Sequence, residues 1–357
     1  MGKKIISIIK QEAKEFACLP CERINLDIER FSEYRDSDEH PAETPFESPI
    51  LNTKMKKIIE REIPSILRYF LDGSRKTYKV ADLILDGRYL PLIAGQVGVA
   101  VVERINDGQG IRPLREFCHF KNVLVFPNLI GTEDLIYLQS KINQWSRFNF
   151  ELMSYTVKED RELVDLGVAK IMSEMHNLEI SAVQEMAERH LLTNNSLLVI
   201  DGPLRFKKKL DVTQFRNVIG LSKSFRPSFT VGKGKRKEDV GALTSNLEFG
   251  ERTSVFKTVD EKNTIGMWYL RIRPRHRMSN PLQGVIKMEC YAVCPEEKEN
   301  GLEAVRVDTI SSHILRERNV TPYQADWRWA SHIYPVYLAE TYIKSSFISD
   351  TQFQALF

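Results

Sequence analysis

At 357 residues, 42% of them hydrophobic, the chain has material for two domains or one large elaborated one, which excludes a disordered tail or a minimal peptide scaffold. Its net charge is only +3, from 51 basic and 48 acidic residues, so any attraction to a polyanion must come from local clusters. No apolar run reaches the roughly 18 residues of a membrane-spanning helix, and the opening run from Met1 to Ile9 meets Lys10 and Glu12 too soon for a secretory leader. The expected location is cytoplasmic. Five cysteines, an odd number at low density, agree with reduced thiols. The close pairs Cys18-Leu-Pro-Cys21 and Cys290-Tyr-Ala-Val-Cys294 lack the short Gly-rich knuckles of a zinc clamp, so ordinary thiols are favoured over structural zinc.

Residues 1–60 read as a helical and loop lead-in, with the main domain over 61–350. Within the lead-in, Ser37 to Pro49 is rich in proline and acid and predicts a surface arm. Three strand-like runs come next, Ile66 to Asp72, Lys79 to Leu85 and Tyr89 to Glu103, the last two joined by Asp86-Gly87, a strong hairpin signal. The first run ends in Asp72-Gly73-Ser74-Arg75. Asn122 to Phe126 adds a short strand, Thr132 opens a helix to about Phe148, and an acidic helical region spans Lys158 to His190. Its apolar positions, Val164, Val168, Ile171, Met172, Met175, Leu178, Ala182 and Met186, recur at three- and four-residue spacing, which predicts one face packed on a sheet. Glu179 falls on or beside that face, whereas Glu174, Glu185 and Glu188 sit further round. A carboxylate turned inward needs a cation, so Glu179 is the candidate ligand here and Glu185 the reserve; the alternative is a helix-edge Glu paired with a basic neighbour.

Leu197-Leu-Val-Ile-Asp201-Gly-Pro203 is the sharpest signal in the chain, a buried strand that delivers a carboxylate where a Gly-Pro turn stops it. If its strand shares a sheet with the first, Asp72 and Asp201 meet as two hard oxygen donors suited to Mg2+ or Mn2+. Composition then shifts. From Arg205 to Lys237 there are eleven Lys or Arg and one acid, Asp211, expected to pair with the lysines before it. Lys207, Lys208, Lys209 and the run Lys233, Lys235, Arg236, Lys237 suit a phosphate backbone. Arg271, Arg273, Arg275 and Arg277 alternate after Trp268-Tyr269; on a strand all four would leave one face toward nucleic acid, the alternative being a solvated sheet edge. Gln283 to Val293 reads as a strand containing Glu289, and Leu302 to Arg318 mixes strand and helix signals. The last third, Asn319 to Lys344, predicts an aromatic-rich helix in which Pro335 breaks or kinks the chain near His332 and so aims that side chain, though a lone histidine among aromatics is also a common core residue.

The order of these features resembles the NurA nuclease family over roughly residues 65 to 345: Asp72-Gly-Ser, a meander, a helix bearing Glu, Asp201-Gly-Pro-Leu, Val218-Ile-Gly-Leu-Ser-Lys223-Ser, then a Pro-Tyr through Ala to His segment. The resemblance implies an α/β fold with a ribonuclease-H-like mixed sheet flanked by helices. It also implies a Mn2+-dependent (or Mg2+-dependent) exonuclease and single-strand endonuclease acting on DNA, a homodimer, and a HerA-type hexameric ATPase as partner in DNA end processing or antiviral defence. Matched by position, Asp72, Asp201 and a helical Glu are the metal ligands, and Tyr323 and His332 take the places of the family's C-terminal tyrosine and histidine. Phosphodiester hydrolysis needs an in-line water and charge relief on the phosphate and leaving oxygens. Within that expectation Lys223 holds the scissile phosphate, or is a solvated strand-end lysine. His332 binds metal or moves a proton, and Arg75 joins the basic runs on DNA. The competing expectation is a non-catalytic DNA-binding scaffold subunit of a translocase complex.

Overall fold

The computed structural model describes residues 2–29, 45–49, 55–58, 64–105, 110–204, 206, 211–227, 229–231, 238–260, 263–319 and 327–357. These build an α/β protein on a large mixed sheet with helices on both faces. The main strands in chain order are β1 (Ala17–Asn25), β2 (Leu67–Leu85), β3 (Arg88–Arg104), β4 (His119–Pro127), β5 (Glu151–Tyr155), β6 (Leu197–Asp201), β7 (Val218–Ser222), β8 (Asn263–Arg271) and β9 (Val285–Tyr291). Their order across the sheet is β8-β9-β7-β6-β2-β3-β4-β5, and β1 lies antiparallel along the far half of β2. β2, β3 and β4 form an antiparallel meander, whereas β6 is parallel to β2 and β7 parallel to β6.

The expected hairpin forms at Asp86-Gly87, where both residues take positive φ (50° and 73°), the geometry of a tight turn matched to strand twist. The two runs placed before it are, however, one strand of 19 residues. β3 pairs with β2 without a break long enough to part them, from Tyr69 to Leu85, so the polar residues between Asp72 and Lys79 stay extended. Asp72 is therefore inside a strand and not at its end. What ends there is the partner on the opposite edge: β6 pairs with β2 only from Leu67 to Leu71, and β1 takes up that edge from Tyr78. The edge between them has no ladder partner among the described residues, and the sheet opens beside Asp72.

Among the helices packed against this sheet are α1 (Ile5–Glu12), α2 (Leu163–Glu188), α3 (Ala304–Glu317) and α4 (Tyr334–Ser346). The expected helix from Thr132 runs to Trp145 and packs Leu135 and Ile142 in the cluster with α1. α2 covers one face through Ile171, Met175, Leu178, Ala182 and Met186, most of the stripe its periodicity predicted, and begins at Leu163, later than expected. α3 and α4 cover the other face, where Ile310, Ile314, Val336 and Ala339 pack on Phe70, Val199 and Leu221. The mixed signal at Leu302 to Arg318 resolves into a two-residue strand, Leu302–Glu303, followed by α3. Pro335 does not kink a long helix; it stands in the first turn of α4, where its missing N–H would have had no partner anyway. The lead-in is not separate from the sheet, because β1 belongs to it and α1 packs its isoleucines with β1 and β2 in a third cluster. Most of the Ser37 to Pro49 arm lies outside the described residues.

Among the described residues no helix is long and apolar enough to cross a membrane. The two cysteine pairs are kept apart, Cys18 in the cluster under α1 and Cys290 in the cluster under α3 and α4, so they form no common zinc site. Burial pushes the Cys18 thiol up to about 11 and the Cys290 thiol up to about 12, as expected of inert core thiols.

Arg252 is fully buried between Glu47 and Asp308, donating to them at 2.7 and 2.8 Å and to the Thr253 carbonyl at 2.8 Å. Replacing one member of such a group strands the others, so Arg252→Met is expected to cost roughly 3–5 kcal/mol. Chemical denaturation of the two proteins measures it.

Candidate active site

β6 is short because it is followed by Gly202 at φ 113°, a backbone conformation that a side chain would resist. Its last residue is Asp201. Leu71 and Ile200 are register partners on β2 and β6, so the residues next along the chain, Asp72 and Asp201, stand side by side on adjacent parallel strands. Leu221 on β7 is the register partner of Asp201, and two residues on, Lys223 returns to the same side and places Nζ 2.7 Å from Asp201 Oδ2. Two carboxylates and one ammonium thus share one face of three neighbouring strands. The expectation that Asp72 and Asp201 converge is met.

Asp72 is 5% exposed, and among the described residues no hydrogen bond or ion pair reaches its carboxylate. Burial, with the charge of Asp201 second, pushes it well above the usual carboxylate range, and Lys223 only partly offsets this. Burial works against the charge on Lys223 as well, but Asp201 and Asp72 outweigh it and hold the ammonium above its ordinary value.

Glu179 arrives from the opposite face. It is 4% exposed on α2, and it can lie over β2 because the residue beneath is Gly73; an added Cβ there would collide with Glu179 Oε1 and press on Met175. Its other oxygen, Oε2, lies 2.8 Å from His176 Nδ1. A cavity of about 300 Å³ gathers Asp72, Glu179, Asp201, Lys223 and His332, five of the six residues proposed for catalysis, along with Ser222, Glu340 and Lys344. The sixth, Tyr323, lies outside the described residues. The reserve ligand Glu185 is not in the cavity; it pairs with Arg189 on the surface of α2 and lies 3.9 Å from His119.

His332 stands between a 3-10 turn (Trp327–Ser331) and α4, its ring against Trp329 at 4.9 Å. Its carbonyl accepts from Asn319 N at 3.0 Å. The backbone on either side of this exchange is braced by Arg273, which donates to the carbonyls of Ala330 and Asn319. Arg273 is therefore not a nucleic-acid contact. Nor is Arg271, fully buried and donating to the carbonyls of Ser245, Pro281 and Gln283. β8 ends at Arg271, and Pro274 leads into a 3-10 turn, so the four arginines do not share a strand face; only Arg275 and Arg277 are exposed. Arg75 is also occupied, donating to Asp27 at 2.5 Å and Thr77 at 2.9 Å. Asp211 caps the turn at Val212 by accepting from Thr213. Lys207, Lys208, Lys209, Lys233, Lys235, Arg236 and Lys237 lie outside the described residues.

The sequence reading missed Glu340 and Lys344. Their i,i+4 spacing is that of an ordinary surface pair and they are bonded at 2.6 Å, but Glu340 also faces the carboxylates. Burial disfavours its charge, yet Lys344 and Lys223 hold it below its ordinary value. Among the described residues no three Asp, Glu, His or Cys already stand at metal-ligating spacing. The reason is visible in the pairing: Asp201 is drawn to Lys223, Glu179 to His176 and Glu340 to Lys344. Asp72 alone among these acids has no such partner. The donor set, hard carboxylate oxygens around a buried acid without a hydrogen bond, is of the chemical kind that Mn2+ or Mg2+ takes.

No protein-family model matches the chain, and a search of curated proteins finds no significant match.

Because the folded-state value of Asp72 lies above the ordinary 3.8, the carboxyl favours folding only when protonated, and that contribution is lost as pH rises from about 3.8 through the folded value. Asp72→Asn is therefore expected to raise the stability of metal-free protein at pH 7, where the buried acid is held against its preference for the protonated form. The gain should vanish below pH 3.8. Thermal melts of both proteins across pH measure it, and a loss of stability at pH 7 would contradict the assignment.

Proposed function

We propose that the protein is a metal-dependent deoxyribonuclease of NurA type, with exonuclease and single-strand endonuclease action on DNA. The observation that carries this reading is Asp72, a carboxylate 5% exposed with no hydrogen bond among the described residues, in register beside Asp201 and opening on a cavity with Glu179, His332 and a lysine. A buried acid in that state is costly unless a cation is to join it. The strand pattern supports a ribonuclease-H-like core: the antiparallel meander β2-β3-β4 with β6 and β7 added parallel beside β2 puts one acid on the first strand, one on the helix and one at the end of the next parallel strand.

Asp72, Asp201, Glu179 and His332 would hold Mn2+ or Mg2+, which when bound supplies charge relief on the phosphate and a more acidic water. Lys223 serves a second purpose once a cation shares Asp201: its ammonium, paired with Asp201, would be free to donate to a non-bridging phosphate oxygen. If His332 does not ligate the ion, its alternative role, oriented by Trp329 and by its fixed backbone, is to carry a proton to or from the reacting oxygen. The lysine runs over 207–209 and 233–237 would take the DNA backbone. The homodimer and the HerA-type hexameric ATPase, in end processing or antiviral defence, come from the family resemblance alone.

The scaffold reading has one observation in its favour, the pairing of Asp201 and Glu340 with lysines and of Glu179 with His176, which leaves a site able to persist without metal. Degradation of end-labelled single- and double-stranded DNA in Mn2+, Mg2+ or EDTA separates the two. Wild type is expected to cut only with metal, and Asp201→Asn to lose roughly 1,000-fold, for the several kcal/mol a bound metal contributes. Binding without cleavage under every metal, with a HerA-type ATPase present, would establish the scaffold.

A further inference from the structure

β9 carries a buried ion pair that the site chemistry leaves unused. Lys287 and Glu289 are both fully buried, with Nζ 3.3 Å from Oε1. Such a pair gives little net stability, and apolar residues of similar volume often replace it at no cost. Its placement is more telling. Glu289 is the register partner of Gly220 and Lys287 of Ser222, so both lie against the strand that leads to Lys223. Glu289 Oε2 accepts from Leu204 N at 2.8 Å, and two residues along the same face Tyr291 donates its hydroxyl to the Leu204 carbonyl.

Both backbone groups of one residue are thus gripped by side chains of a strand two places away from Asp201. The residue gripped closes the turn Asp201-Gly202-Pro203-Leu204, of which Gly202 and Pro203 wall the cavity. At the other end the turn is fixed by Gly202 N donating to Leu221 O at 2.8 Å. Phe206 then packs on Phe215, and Phe215 on Tyr291, so the grip extends to the point where the chain enters Lys207, Lys208 and Lys209.

We infer that Glu289 and Tyr291 are positioning residues for the site, clamping Leu204 so that the turn holds the Asp201 carboxylate and the cavity wall in register with Asp72. Lys287 holds Glu289 as an acceptor. This inference rests on the nuclease reading and adds residues to it that touch neither metal nor DNA.

Three proteins test it: wild type, Lys287→Met with Glu289→Leu, and Lys287→Met with Glu289→Gln. The Gln variant keeps a carbonyl for the Leu204 N–H, and the Leu variant keeps only the volume. With Mn2+ and end-labelled single-stranded DNA, the Leu variant is expected to lose about 10- to 100-fold in kcat, the range for removing a partner of a ligating group. Its KM should stay near wild type and it should still melt cooperatively as a folded protein, with the stability cost of one stranded N–H, while the Gln variant retains most of the activity. Equal kcat in both double variants overturns the clamp. Should the Leu variant fail to fold, Tyr291→Phe keeps the ring and removes one of the two bonds; a loss of kcat supports the inference and an unchanged kcat overturns it. Wild type that cuts nothing with any metal, with a HerA-type ATPase present, ends the nuclease reading, and the inference falls with it. Wild type that cuts while the variants match it ends the inference alone.

Discussion

Two carboxylates on adjacent parallel strands, with one lysine paired to the second of them, are the arrangement that much of this structure accommodates. Asp72 and Asp201 are brought together by backbone pairing that neither side chain can avoid, since their strands are held by apolar contacts on both faces. Lys223 settles on Asp201, and Asp72 remains without a hydrogen bond among the described residues. The space beside Asp72 exists because β6 stops where Gly202 turns and β1 starts further along. Gly73 lets Glu179 reach that space from the far face of the sheet, which any side chain at 73 would prevent. The site therefore draws on both helical layers, α2 from one side and the His332 to Lys344 segment from the other.

The arginines show how a charge pattern is reassigned by burial. Arg252, Arg271 and Arg273 are interior residues whose guanidinium groups serve backbone carbonyls, joined at Arg252 by carboxylates. A guanidinium has five donors in a rigid plane, which suits it to tie several carbonyls of irregular chain at once. Arg273 does this for the segments that present His332, so a residue first read as a contact for nucleic acid acts on the site from behind. The Lys287 and Glu289 pair and Tyr291 do the same for the turn after Asp201. Arg271, Arg273, Glu289 and Tyr291 each bond to irregular backbone, where ladder hydrogen bonds are missing and side chains replace them.

Much of the site was legible in the chain itself. Asp201 could be read because four apolar residues and a Gly-Pro turn surround it, and Glu179 because the 3.6-residue period of α2 turns it inward. His332 was aimed for a reason close to the one inferred: Pro335 does break the chain, by starting α4. The α/β class with a mixed sheet flanked by helices was what the family resemblance implied, and the sheet has that form. The reserve Glu185 lost its place because its partners Arg189 and His119 are set by surface packing, which periodicity does not specify.

What the amino-acid sequence determined by itself was local: which residues are extended or helical, where glycine and proline end an element, and which acids are flanked by apolar residues. Tertiary structure alone decided which strands are neighbours, and with that the union of Asp72 with Asp201 across more than a hundred residues of chain. It also decided that β2 runs through Asp72, because only β3 pairing along it keeps that polar stretch extended. The sorting of arginines into interior braces and exposed cations, and the recruitment of Glu340 and Lys344 to the cavity, were decided there too. Each of these depends on the desolvation and partners a charge finds in three dimensions, and residue type and spacing carry no record of either.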